Sequence, residues 1–140
     1  MIKIELLDRD IPAPKYALEG DAGLDCYSPQ TMDLQPHERK LIPLGIKVEL
    51  PMGKAAFVLP KSGLSSKVGL TATTGLIDSG YRGEIAMMAK NESDQVIHIK
   101  RGQKVCQLLI FDAPQEKITY GKVDANTERG ENGFGSTGLS

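Results

Sequence analysis

Long apolar runs are missing from this chain. None approaches the ~20 residues that a helix needs to span a bilayer, so no membrane partner is expected. Cysteine is scarce: Cys26 and Cys106 both lie among apolar neighbours, which reads as two reduced, buried thiols rather than a disulfide. The two histidines, His37 and His98, stand apart from the cysteines and from any HExxH spacing, so a zinc site is not expected. The net charge is only −1, with basic residues spread along the chain. A broad nucleic-acid-binding face, which needs clustered Lys and Arg, is thereby argued against. One phosphate-bearing small molecule is still allowed. No G-x-S-x-G elbow and no G-x-x-x-x-G-K-[ST] loop is present. The opening MIKIELLDRD places charges inside its first apolar stretch, unlike a secretory signal. A cytoplasmic enzyme or binding domain is the expectation.

What is there is mostly a period of two. In residues 1–7, Ile2, Ile4 and Leu6 alternate with Lys3 and Glu5; in 45–50, Ile46, Val48 and Leu50 alternate with Lys47 and Glu49. Residues 55–59, 84–90, 95–100, 104–111 and 117–123 are further strand candidates. Turn chemistry separates them at Pro51-Met52-Gly53, Asp78-Ser79-Gly80, 91–94 and Arg101-Gly102. No sustained helical stripe occurs, and the best short helix is Ser62–Val68. At 140 residues the chain suits one domain with a core of its own. Many short strands with regular turns predict an all-β sandwich or barrel. No internal repeat is found. From residue 124 the composition turns polar and glycine-rich, as in a mobile tail. The expected organisation is a β domain over 1–123 and a flexible segment over 124–140. The run KVCQLLIF at 104–111 is apolar on both faces with Gln107 in its middle. It should be covered on both sides, by the core and by another subunit, and its glutamine needs partners.

Four segments carry groups suited to chemistry, and each has a bland reading too. The tail contains Gly133-Phe134-Gly135-Ser136-Thr137-Gly138. It matches G-x-G-x-x-G, but no helix can follow it, so the dinucleotide fold is excluded. Its glycines and hydroxyls can still turn donors toward an anion. Arg129 adds a fork matched to phosphate oxygens, and Phe134 a ring for a flat partner. The bland reading is a disordered tail. In Pro60-Lys61-Ser62-Gly63-Leu64-Ser65-Ser66-Lys67 a strand meets a short helix. Either its N-terminus, Lys61 and Ser62 receive an anion, or Ser62 is simply an N-cap. In Gly75-Leu76-Ile77-Asp78-Ser79-Gly80-Tyr81-Arg82-Gly83-Glu84 the bland reading is a β-hairpin with a D-S-G turn. The functional one makes Asp78 a general base for water. Asp21-Ala22-Gly23-Leu24-Asp25 is either an ordinary acidic turn or a carboxylate pair near magnesium and phosphates.

The order of these segments is more telling than any one of them. DAGLD, PKSGL, GLIDSGYRGE, RGQKVCQL and RGENGFGSTG follow one another over residues 2–138, and this series resembles the five ordered motifs of the trimeric dUTPases. The resemblance implies a distorted β jelly roll, a homotrimer with active sites shared between subunits, and magnesium-assisted hydrolysis of dUTP to dUMP and pyrophosphate. It implies that Asp78 activates water for attack on the α-phosphorus and that Tyr81 lies under the deoxyribose. Gly75, Leu76 and Ile77 are implied to line the nucleoside pocket. Lys61, Ser62, Gly63 and Gln107 are implied to contact phosphates or ordered water. No side chain is implied to bind Mg2+ directly, with Asp25 supporting it through water. Arg129, Phe134, Gly135, Ser136 and Thr137 are implied to close over the substrate, Phe134 stacking on uracil.

Three positions depart from the family pattern. Lys61 stands where arginine is usual, which keeps charge but loses the bidentate fork. Ala72 falls where many members place an asparagine that reads uracil, leaving the base to backbone groups. Gly80 replaces a frequent aspartate in a turn that tolerates it. Two other readings differ in class: a dCTP deaminase on the same fold, needing a glutamate near the pyrimidine amino group, and a trimeric regulatory protein-binding module.

Overall fold

The structure, a computed structural model, describes residues 1–135. Ten strands and one helix follow one another. They are β1 (Lys3–Leu6), β2 (Gly23–Tyr27), β3 (Met32–Leu34), β4 (Arg39–Glu49), β5 (Lys54–Pro60), α1 (Ser62–Val68), β6 (Leu70–Thr73), β7 (Gly75–Ile77), β8 (Glu84–Asn91), β9 (Ile97–Ile99) and β10 (Lys104–Asp112). They form two four-stranded sheets, β1-β4-β8-β6 and β2-β10-β5-β7, and a small β3-β9 pair. Every pairing is antiparallel. The fold is thus the expected antiparallel all-β architecture with one short helix.

Alternation in sequence becomes alternation in burial. Ile42, Leu44, Ile46 and Val48 of β4 and Ile85, Met87 and Ala89 of β8 point into the core from the first sheet. Leu24 and Cys26 of β2, Ala56 and Val58 of β5, and Cys106 and Leu108 of β10 meet them from the second. Each large aliphatic buried this way contributes about 1.5–3 kcal/mol. Cys26 and Cys106 face one another across β2 and β10, both buried. The hydrogen bond with Cys26 and burial together push the Cys106 thiol well above its usual range. On β10 the inward face is buried and the outward face, with Gln107, Leu109 and Phe111, is half-buried.

Three sequence expectations fail. Residues 117–123 are not a strand: Ile118, Tyr120 and Val123 are all exposed, and among the described residues no neighbouring strand offers this segment a ladder. The segment 75–84 is not a hairpin. The turn exists, closed by the Tyr81 N–H donating to the Asp78 carbonyl at 3.1 Å. The strands it joins belong to different sheets, however, because β7 pairs with β5 while β8 lies between β4 and β6. Ser62 is not the N-cap; Lys61 holds that place in extended backbone, without a capping hydrogen bond.

Asn91 ends β8 fully buried. Its amide donates to the carbonyls of Leu34 (3.1 Å) and Gln95 (2.6 Å) and its Oδ1 accepts from the Ser93 N–H (2.9 Å), so one side chain ties the first sheet to the β3-β9 pair. Asn91→Leu keeps the volume but orphans those groups, at about 1–3 kcal/mol each. A fall in the urea midpoint equivalent to at least about 2 kcal/mol, with an unchanged slope, is the expected result; an unmoved midpoint would show the network contributes nothing.

Candidate active site

The sequence-predicted site residues gather at two opposite ends of the second sheet. At one end, Ile77 of β7 pairs with Ala56 of β5, which sets Asp78 just beyond, level with Ala55. Asp78 is exposed and lines a cavity of about 730 Å³ with Gly53, Lys54, Ser79, Pro114 and Gln115. The turn after it is braced by Arg82, whose guanidinium donates to the carbonyls of Ser79 and Tyr81. Strand alternation separates the next pair: Leu76 points outward and is exposed, whereas Ile77 packs against the core. Ile77 and Gly75 therefore offer this surface mainly backbone.

Tyr81 is fixed by what its neighbour lacks. Its hydroxyl donates to the Glu84 carbonyl at 2.8 Å, folding the ring back over Gly83. A Cβ at residue 83 would fall 2.4 Å from the Tyr81 Oη and 2.7 Å from its Cζ. The Glu84 carboxylate is committed elsewhere, accepting from the Gly45 N–H at 3.0 Å where β4 departs from regular register.

At the other end, Asp25, Lys61, Lys104 and Gln107 form a polar cluster around the end of β5, the start of β10 and the middle of β2. Asp25 pairs with Gln107, and Gln107 with Leu59. The Gln107 amide donates to the Pro60 carbonyl at 3.0 Å. Its Oε1 lies over Gly23, where a Cβ would come within 2.3 Å. Asp25 is only 2 % exposed. One carboxylate oxygen accepts from the Lys61 ammonium at 2.7 Å and the other lies 3.1 Å from that of Lys104. Burial pushes the Asp25 carboxyl up, but the two lysines outweigh it and hold the group below its ordinary value. The same contact raises Lys104. Ser62 and Gly63, next in the chain, are exposed.

These two ends do not meet within one chain. From Ala55 to Lys61 along β5 is about 20 Å at the usual rise of 3.3 Å per residue. The tail is a third group. Arg129 donates through Nε to the Asn132 carbonyl at 2.8 Å, and Phe134 is fully exposed. Among the described residues, the hydrogen bonds of this segment are all local. Gly135 is the last described residue; Ser136 and Thr137 lie outside the described residues. Ala72, on β6, pairs with Ala89 and is half-buried against the core. Sequence reasoning missed Lys104, Gly83 and Gly23 as site residues. Lys104 stands inside a quoted motif and could have been read there, whereas the two close approaches exist only in three dimensions.

An exposed carboxylate beside a cavity, a separate cationic cluster and a donor-rich tail, carried on two antiparallel sheets, are groups suited to a β-fold enzyme acting on a phosphorylated small molecule. The dUTPase family model matches residues 9–138. A deoxyuridine 5'-triphosphate nucleotidohydrolase of Dictyoglomus turgidum is 43% identical over 146 residues, covering 99% of this chain and 98% of that protein. The dUTPase of Staphylococcus bacteriophage 80alpha, solved with dUPNHPP, superposes with a TM-score of 0.91 at 28% identity, covering 99% of this chain and 98% of that one. A point mutant of the dUTPase from phage phi11 of S. aureus, which coordinates a structural Mg(II) ion, superposes at 0.82 with 25% identity over 89% of this chain and 98% of that one. The chain belongs to the dUTPase family.

Gly83→Ala tests the Tyr81 arrangement. The clash is with the end of a side chain that can swing away, so stability should hold within about 1 kcal/mol, while the bond to Glu84 is lost. A crystal structure of the variant should show the Tyr81 ring displaced and its hydroxyl out of reach of the Glu84 carbonyl; an unmoved ring would show that the missing side chain at residue 83 does not set its position.

Proposed function

We propose that this chain hydrolyses dUTP to dUMP and pyrophosphate as a homotrimer whose active sites are shared between subunits. Family membership supports dUTP hydrolysis, and the observation that carries the shared site is the separation along β5. Asp78 is level with Ala55, about 13 Å along β5 from Leu59 opposite Gln107 and about 20 Å from Lys61, a span that favours one phosphate chain reaching the two groups in different subunits. A cyclic trimer brings the Asp78 end of one subunit to the polar end of the next and satisfies this constraint.

The chemistry follows from the residue types. The Asp78 carboxylate accepts a proton from water as the water oxygen attacks the α-phosphorus. The bond from that phosphorus to the bridging oxygen breaks, and pyrophosphate leaves. Gln107 and Ser62 orient phosphates or solvent, the Gly63 backbone admits a phosphate closely, and Lys61 supplies positive charge. Leu76 and the backbone of Gly75 and Ile77 flank the nucleoside, with Tyr81 beneath the sugar. With Ala72 in place of a carboxamide, backbone groups read the base. Mg2+ would arrive on the substrate's phosphates, the usual habit of this ion, with Asp25 supporting it through water. The tail closes last: Arg129 meets phosphate, Phe134 stacks on uracil, and Gly135, Ser136 and Thr137 offer donors. The Glu84 carboxylate's engagement with Gly45 weighs against a deaminase, which needs that glutamate at the pyrimidine amino group.

Asp78→Asn should abolish turnover while retaining the imido analogue of dUTP. Mixed and co-refolded with an inactive Ser62→Ala/Lys61→Ala variant, it should regain activity, since some sites then combine two intact halves. No recovery in mixed trimers would place both halves in one subunit. Deletion of residues 129–140 should lower kcat/KM by about a hundredfold, from lost stacking and charge-assisted bonds, with the melting transition unmoved; an unaltered rate would exclude the tail from the reaction.

A further inference from the structure

We infer that Glu84 is a positioning residue: its carboxylate and its carbonyl together fasten the Asp78–Tyr81 turn to an irregular stretch of β4. The inference rests on the proposed dUTP hydrolysis for what the turn does, while the fastening itself is read from geometry. The turn needs one. Residues 78–83 cross between sheets, since β7 ends at Ile77 in the second sheet and β8 begins at Glu84 in the first. At the near end Ile77 is held by its pairing with Ala56. At the far end the ladder is interrupted. Ala86 lies opposite Pro43 and Glu84 opposite Lys47, with a shift of register between them. Glu84 thus enters its strand beside a bulge, where regular ladder bonds are lost.

A side chain takes their place. The Glu84 carboxylate accepts from the Gly45 N–H at 3.0 Å. Gly45 lies inside the irregular stretch with a φ of 71°, a conformation glycine adopts at little cost. Its carbonyl accepts from the Leu7 N–H at 2.8 Å, so the same residue is also tied to the chain just past β1. With its side chain anchored there, Glu84 presents a fixed carbonyl to the Tyr81 hydroxyl at 2.8 Å. The Tyr81 N–H then closes the turn on the Asp78 carbonyl at 3.1 Å. From β4 to the Asp78 backbone the connection runs through Gly45, Glu84 and Tyr81. Arg82 does a different job. Its guanidinium bonds to the Ser79 and Tyr81 carbonyls, which stiffens the turn internally without attaching it to a sheet. The Tyr81 ring is exposed, so its hydroxyl bond, rather than core packing, sets where it lies.

Glu84→Ala and Glu84→Gln separate this role from simple stabilisation. The residue is exposed, so both variants should fold and melt close to the wild type. In Glu84→Ala the Gly45 amide should exchange with solvent at least about tenfold faster. The ratio of kcat/KM for dUTP to that for UTP should fall about tenfold, because an untethered ring no longer closes the sugar face against a 2′-hydroxyl. That ratio is blind to how much enzyme is folded, so mere loosening of the fold would leave it unmoved. Glu84→Gln keeps an oxygen acceptor for the Gly45 N–H and should return both readouts to within about threefold of the wild type. In a Tyr81→Phe background, Glu84→Ala should lower the ratio no further, since both act through one hydroxyl bond. An unchanged ratio in Glu84→Ala would overturn the inference, as would Glu84→Gln damaged as badly as Glu84→Ala. If the wild type does not turn over dUTP, the proposed function fails, and the fastening is still decided by Gly45 exchange and by the Tyr81 ring position in a crystal structure of Glu84→Ala.

Discussion

The pairing of β5 with β10 on one side and β7 on the other is the constraint on which the chemistry depends. Antiparallel register admits no adjustment in small steps, because a one-residue slip would turn every side chain to the opposite face. Ala56 and Val58 are buried on the core side of β5, so this strand cannot slip, and the positions of its two ends follow. Asp78 inherits its place from Ile77 opposite Ala56, and Lys61 inherits its place from Pro60 opposite Cys106. A single strand thus acts as a ruler between the carboxylate and the cationic cluster. Its length is the reason the proposed site draws on more than one subunit.

The buried charge at Asp25 makes sense only in that setting. Taking a carboxylate out of water costs several kcal/mol, and partners must offset that cost with close geometry. The Lys61 and Lys104 ammoniums supply the partners. A well-packed apolar residue would have been the cheaper choice for stability alone. A carboxylate placed there instead fixes two lysine ammoniums at the surface. Gln107 and Gly23 show the same economy of placement, since the missing side chain at Gly23 is what leaves room for the Gln107 carbonyl oxygen.

Much of this was legible from residue order. The candidates 1–7, 45–50, 55–59, 84–90, 95–100 and 104–111 marked β1, β4, β5, β8, β9 and β10, and Ser62–Val68 is the helix. β1, β4 and β8 were readable because one buried face imprints a period of two, whereas β5 and β10 were readable as apolar runs bounded by turn residues. β2, β3, β6 and β7 were not readable as strands. Gly23–Tyr27 lies amid turn residues and is buried almost throughout, so it has no alternation to show, and Met32–Leu34 and Gly75–Ile77 are too short to display a period. Residues 117–123 erred in the other direction. Their alternation is genuine, but a ladder needs a partner strand, and pattern alone cannot say whether one stands alongside. For the site, Asp78, Tyr81, Lys61 and Gln107 were named from their motifs. The link from Lys61 to Asp25 was not, because contacts between separate strands depend on register.

That link changes how the substitution of lysine for arginine at position 61 should be weighed. Considered as a single residue, Lys61 loses the planar fork and gains rotational freedom, both unfavourable for gripping a phosphate. Considered with Asp25, the ammonium is no longer free to rotate: one of its donors is spent on a fixed carboxylate at 2.7 Å, which removes part of the entropy a lone lysine would lose on binding. Lys104 is held by the other oxygen at 3.1 Å. Position 61 is therefore not a free lysine in place of a free arginine: its ammonium is fixed by a carboxylate that is itself 2 % exposed.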